Sequence, residues 1–198
     1  MVWPETTESA STKMTEDKTR VTFLFDDSSV SSVTRGGCWA ACHDDANKMP
    51  SAQAEKDTHL YLAKSRTKIT RKGGGENYKS TEALKTLLAE GIFVEYWQAQ
   101  LNDGRVTKVL DGYILDKRHN NEYPVDAIAE LNNGVWSVEM SRSLSPDLPH
   151  NKNIVAGKTY NFGLALHDAY SEGRKHLVSF SHSFALDQGK ADFIAIKQ

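Results

Sequence analysis

Phe93-Val94-Glu95-Tyr96-Trp97 is the stretch at which the hydrophobic period of this chain changes. Just upstream, Ala83, Leu84, Leu87 and Leu88 recur with helical spacing and give Thr81 to Glu90 one apolar face. Ser80 or Thr81 can cap the start of that helix, and Gly91 stands where the residue after a helix C-terminus belongs. From Phe93 onward the period is two. Val109-Leu110-Asp111-Gly112-Tyr113-Ile114-Leu115, Val125 to Ala129, Val135 to Met140, Thr159 to Leu166, His176 to Phe180 and Phe193 to Ile196 all read as strands. Asn132-Asn133-Gly134 has the composition of a hairpin turn. Many short strands with turn signals between them predict a mainly β fold, an antiparallel β-sandwich with short helices. No internal repeat is visible.

Upstream of the helix the chain is less regular. Residues 5–19 are rich in Ser, Thr, Glu and Lys, so residues 1–20 read as a flexible arm and 21–198 as one domain. Val21 to Phe25 reads as a strand, Asp26 to Ser29 as a turn, and Leu60 to Lys68 as a short helix or turn. Arg71 to Tyr78 is a polar glycine loop without the Gly-Lys-Ser/Thr ending of a phosphate loop. Of the 198 residues 39% are hydrophobic, enough for a core, and the net charge of −2 gives no basic footprint for nucleic acid. No apolar run reaches the length of a membrane-spanning helix, and Met1-Val2-Trp3-Pro4 leads directly into polar sequence rather than a signal peptide.

The chemistry is concentrated in Arg35-Gly36-Gly37-Cys38-Trp39-Ala40-Ala41-Cys42-His43, which holds the only two cysteines. Two thiols can add across the two vinyl groups of a haem, and the adjacent imidazole can then reach the iron. The usual attachment motif places two residues between the cysteines, and here there are three. A Cys38–Cys42 disulfide would close a small loop and stabilise little. A zinc site lacks a second cysteine pair. A redox dithiol lacks both the two-residue spacing and a thioredoxin-like context. Spacing alone therefore leaves haem attachment standing beside these alternatives. Gly36-Gly37 lets the backbone approach something bulky, a tight turn being the plainer use.

Five segments together resemble one family: the Arg35–His43 stretch, Gly73-Gly74-Gly75-Glu76-Asn77-Tyr78-Lys79-Ser80, Glu95-Tyr96-Trp97-Gln98-Ala99, Asp111-Gly112-Tyr113-Ile114-Leu115 and Ala165-Leu166-His167-Asp168. It is the haem-binding domain related to the gamma subunit of ethylbenzene and dimethylsulfide dehydrogenases, in the branch found C-terminal to membrane-anchored NapC/NirT-type multihaem cytochromes. The resemblance runs from about Val21 to the C-terminus. It implies a β-sandwich with haem at one end, a periplasmic location and electron transfer, and the three-residue cysteine spacing is typical of this branch. In the dehydrogenase subunits the haem is type b with Met and Lys ligands, whereas here Cys38, Cys42 and His43 occupy the corresponding region. The implied cofactor is one covalent haem c, with His43 as proximal ligand.

For the opposite axial position the candidates are Met49, Met140, His167, His176 and His182. Met49 is too close in sequence to His43 to cross to the other side of a haem. Met140 alternates onto the face of Trp136 and Val138 and reads as core. Aligning Val178-Ser179 with the lysine-ligand segment of the dehydrogenase-type relatives places the ligand at His176. His182 alternates to the same side and is the reserve candidate. Arg35 and Arg174 are candidates to pair haem propionates, a solvated charge being the alternative. Trp39 and Trp97 are candidates to pack on the macrocycle, with a core role as the alternative.

The expected function is that of a monohaem c-type cytochrome domain carrying electrons with two imidazole ligands. The expected partners are redox donors and acceptors, a membrane-anchored multihaem cytochrome among them. A periplasmic location implies that a signal or anchor is missing from this chain. A haem-based sensor with a displaceable distal ligand is the alternative from another class. Catalysis at the haem has no evident acid–base constellation to support it, and Asp44-Asp45 reads as solvated.

Overall fold

The structure, a computed structural model, describes residues 2–4, 19–40, 62–68, 78–102, 104–121, 125–167 and 176–196. The elements in chain order are β1 (Val2–Pro4), β2 (Thr19–Asp26), α1 (Ser31–Gly36), a 3-10 turn (Gly37–Ala40), a second 3-10 turn (Ala63–Ser65) and α2 (Thr81–Ala89). They continue with β3 (Val94–Asn102), β4 (Arg105–Ile114), β5 (Arg118–Asn121), β6 (Asp126–Asn132), β7 (Val135–Ser141), β8 (Thr159–His167), β9 (His176–Val178), β10 (His182–Leu186) and β11 (Phe193–Ala195).

The mainly β expectation holds. Eight strands form one mixed sheet in the order β11-β10-β8-β2-β3-β4-β5, with β9 paired to β8 beside β10. The hairpin β6–β7 forms a second, small sheet, extended by β1. One pairing corrects the antiparallel expectation: β10 and β11 run parallel. The turn at Asn133-Gly134 has φ of 51° and 74°, the two left-handed residues that a tight hairpin turn needs. Helix α2 starts at Ser80, whose hydroxyl accepts the Ala83 N–H at 3.3 Å, and stops at Gly91 with φ of 74°.

Register assigns the residues of the large sheet to its two faces. Leu24 lies opposite Tyr96 and Gly163, and Ala165 lies opposite Thr22 and Val178. On this face Leu24, Val94, Tyr96, Ile114, Ala165 and Val178 join one core cluster with Val30, Val33, Cys38, Leu62 and the apolar stripe of α2. Helices and turns therefore cover it, and α2 lies outside the two-sheet interface. On the opposite face Val21, Ala99, Leu101 and Leu166 pack with Trp136, Ala127, Ala129, Val138 and Met140 of the hairpin. Beside them Phe23, Phe25, Trp97, Tyr160, Phe162 and Phe184 form an aromatic layer.

Buried ions tie the segment after β7 to this second face, through Glu95, and to the end of β2, through Asp26 and Asp27. Arg142 Nε lies 2.9 Å from the fully buried Glu95 carboxylate, which also accepts the Lys152 backbone N–H at 2.6 Å and the Trp97 indole N–H at 2.7 Å. The Lys152 ammonium reaches Asp27 at 2.7 Å, Asp26 at 3.2 Å and the Gly91 carbonyl at 2.9 Å. Burial alone would raise the Asp27 carboxyl, but Lys152 and Lys158 overcome it and hold it well below the usual range. Glu95 goes the other way. Burial pushes it up to about 7 against the pull of Arg142 and the N–H donors.

Because the Glu95 pKa is raised on folding, its contribution to stability is fully present below about 4.5, the ordinary value, and is lost as pH rises through about 7. The wild-type urea midpoint therefore carries a falling component between these values, with a slope approaching about 1.4 kcal/mol per pH unit. Glu95→Gln removes that component. Parallel pH profiles for the two proteins would show that Glu95 does not titrate in this window.

Candidate cofactor-attachment site

Of the two cysteines of the motif, Cys38 is described. Cys42, His43, Asp44, Asp45 and Met49 lie outside the described residues, as do Arg174 and most of the glycine loop. Trp39 belongs to the 3-10 turn Gly37–Ala40. The turn follows α1, which the sequence reading did not anticipate because Ser31-Ser32-Val33-Thr34-Arg35-Gly36 has no helical apolar stripe.

Two glycines fix where Cys38 sits. A Cβ on Gly163 of β8 would lie 2.5 Å from the Cys38 backbone nitrogen, so only glycine lets the two chains touch there. Gly37 has φ of 56°, and a Cβ on it would lie 2.6 Å from Ser181 N and 2.7 Å from Phe180 C. The close approach expected of Gly36-Gly37 is thus met by the protein's own backbone. Cys38 itself is 2% exposed and belongs to the core cluster on the helix-covered face.

The contact explains a break in the edge strand. His176 to Phe180 reads as one strand, yet regular pairing stops at Val178 and resumes at His182. Across the gap Ser179 N–H donates to Leu164 O at 2.8 Å, and the Ser179 hydroxyl accepts the Leu164 N–H at 2.8 Å. A side chain replaces a backbone acceptor, and Phe180–Ser181 is released to meet Gly37. The irregularity shifts alternation by one residue, as a β-bulge does.

That shift separates the histidines. His176 lies opposite His167, in the same alternation class as Gly163 and Ala165, on the face that carries Cys38. His182 lies opposite Phe162, and its ring sits 5.5 Å from Phe162 and 6.0 Å from Phe193 on the other face. The expectation that His182 shares a side with His176 is therefore corrected. Met140 is half-buried against the hairpin core, as its alternation predicted, and also lies on the far face. Trp97 is likewise core there, donating to Glu95 and stacked near Phe23 at 5.1 Å, so it does not line the Cys38 face. Arg35 is exposed on α1, its Nε 3.4 Å from Ser31 O.

The described neighbours of Cys38 are small or apolar, which fits the chemistry of a thiol-linked apolar group. The buried Cys38 is held against the sheet through its backbone contact with Gly163. Small Gly163 and Ala165 lead along β8 from Cys38 toward position 167, about 13 Å away at strand rise. Leu24, Leu62 and Val178 supply apolar neighbours in the same cluster. Among the described residues no group of three or more His, Cys, Asp or Glu side chains is placed to hold a bare metal ion. No helix among them is long and apolar enough to cross a membrane.

Gly163→Val should cost about 1–3 kcal/mol, since the added carbons meet backbone that cannot rotate away. Urea unfolding measures it, and an unchanged midpoint would mean that the Cys38 segment is free to move off the sheet.

No family model and no solved structure matches the chain. It is distantly homologous to a protein named cytochrome c-552 from Stutzerimonas stutzeri, with 28% identity over 200 residues that cover 99% of this chain. The chain spans 59% of that relative's length.

Proposed function

We propose that this chain is a monohaem c-type cytochrome domain that carries electrons. Cys38 and Cys42 form the thioethers, His43 is the proximal ligand and His176 the distal one. The observation that carries the reading is the backbone clamp of Gly37–Cys38 onto the sheet face that holds positions 167 and 176. Homology over nearly the whole chain to a protein named as a cytochrome c supports it. Bound there, haem supplies the one-electron couple. The protein's own part is to fix the ligands, bury the ring and set its surroundings, which are the levers that tune potential. Two imidazoles favour a lower potential than a His/Met pair. Exposed Arg35 stands three residues from Cys38, where its planar fork suits a propionate.

We further propose a periplasmic location, which thioether attachment of haem would require, with redox proteins as partners, a membrane-anchored multihaem cytochrome among them. The ethylbenzene and dimethylsulfide dehydrogenase gamma-subunit family remains the assignment we favour, on the motifs quoted for it.

Intact mass after acid–acetone extraction should retain one haem, and Cys38→Ala should lower that yield sharply. A haem that extracts completely sinks the covalent reading. The reduced holoprotein should not take up carbon monoxide, because both axial positions are filled. Ready uptake would favour the sensor alternative. Met140→Leu and His182→Gln should leave the low-spin spectrum unchanged, since both residues face away from Cys38. A spectral change in either one would move the distal ligand to the hairpin side.

A further inference from the structure

We propose that Glu95 and Asp111 hold a single proton in common, and that this proton keeps residues 142–152 seated on the sheet. Asp111 lies opposite Trp97 on the paired strands β3 and β4, and Glu95 stands two residues before Trp97. The two carboxyl groups are therefore diagonal neighbours on one face, the one turned away from Cys38. Both are buried, Glu95 completely and Asp111 to 2% exposure. One amide bridges them: Asn151 Nδ2 donates to Glu95 Oε1 at 3.3 Å and to Asp111 Oδ2 at 3.4 Å.

The charges at this pair do not balance. Arg142 supplies the cation, with Nε 2.9 Å from Glu95 Oε1 and Nη2 3.3 Å from Oε2. The other charged groups described nearby are committed elsewhere. Lys152 reaches Asp26 and Asp27, Lys158 reaches Asp27, and His119 pairs with Asp116 at 2.7 Å. Arg118 lies over the Tyr96 ring, on the other face. His150, beside Asn151, packs its ring 4.7 Å from Tyr113, and burial together with His119 holds its pKa low. Two carboxylates facing one guanidinium out of water leave one negative charge over, and a proton removes it. Hydrogen bonding points the same way. Asp111 Oδ1 and Asn151 Oδ1 are buried without a partner among the described residues. The site is short of a donor, and a protonated carboxyl supplies one. Burial raises both carboxyl groups, and the Asp111 charge raises Glu95 further, so the titration belongs to the pair.

The segment after β7 hangs on these atoms. Arg142, Asn151 Nδ2 and the Lys152 N–H all end on Glu95. Loss of the proton sets two carboxylates against each other beneath them. The seated segment thus binds the proton more tightly than the lifted one. Its opening constant rises by about tenfold per pH unit from the ordinary carboxylate range up to about 7, and levels off above.

Carboxyl-carbon NMR of the full, reduced chain follows both groups through neutrality, while hydrogen exchange follows the Lys152 amide, corrected for its intrinsic rate. One step near pH 7 should shift both carbons. Amide protection should fall by about tenfold per pH unit up to that step. Asp111→Asn should weaken proton binding at Glu95 by about tenfold or more and flatten the amide profile near neutrality. An Asp111 carbon that is silent at the Glu95 step gives the proton to Glu95 alone and overturns the sharing. So does an Asp111→Asn protein in which Glu95 still titrates at about 7. Amide protection that ignores pH while the carboxyls titrate overturns the seating. The wild-type spectra need no substitution, so they decide the sharing even where Asp111→Asn does not fold.

Discussion

The contact between the Gly37–Cys38 backbone and the sheet is the constraint on which the site depends. Main chain normally stays a side chain's width from a sheet face. Here Gly163 removes that width, and Gly37, held at φ of 56°, approaches Phe180–Ser181 from the same side. Three local features follow. Position 163 has room only for glycine. The edge strand must open at residues 179–181. A hydrogen-bonding side chain must bridge the gap, which Ser179 does by accepting the Leu164 N–H. The thiol is thereby mounted on the rigid part of the fold, where a functional group is held more tightly than on a loop.

The opposite face of the sheet is built differently. Aromatic rings and the hairpin close it, Arg142 and Glu95 stitch the segment after β7 onto it, and Lys152 reaches Asp26 and Asp27 at the end of β2. Such pairs add little net stability over an apolar replacement, but removing one partner leaves a buried charge at a cost of about 3–5 kcal/mol. They constrain how this segment can lie more than they strengthen the fold. Met140, His182 and Trp97 all belong to this side, and the sheet separates them from Cys38.

Alternation and capping were legible because each is written within a few residues. The α2 caps, the Asn133-Gly134 turn and the long strands β3, β4, β7 and β8 follow from local pattern alone. β5 was not legible, since Arg118-His119-Asn120-Asn121 has no apolar alternation and is a strand only because β4 offers it an edge. β10 was missed for a related reason: it pairs with β8 beyond a break imposed by Gly37, which is distant in sequence. The same long-range contact reversed the side assigned to His182. At the site, the cysteine spacing and the close approach of Gly37 were readable. The partner in that approach was not, because nothing local in Arg35-Gly36-Gly37 says whether a ligand or a strand will meet it. The Ser179 hydroxyl, a serine that spacing alone would leave as ordinary edge-strand polarity, is visible only once Leu164 is in place.

The choice between carrier and sensor turns on how the proposed distal ligand is mounted. A sensor needs a ligand that leaves and an open position when it has left. β9, a three-residue edge, is well suited to releasing His176. On that strand alone the sensor would be the natural reading. What the strand carries against that reading is its anchor. Ser179, directly after β9, exchanges two hydrogen bonds with Leu164 at 2.8 Å each, and Phe180–Ser181 beyond it pack on Gly37. Position 176 is thereby tied, within three residues, to the same backbone contact that holds Cys38. That mounting suits the proposed carrier, in which a change of ligand type would shift the potential.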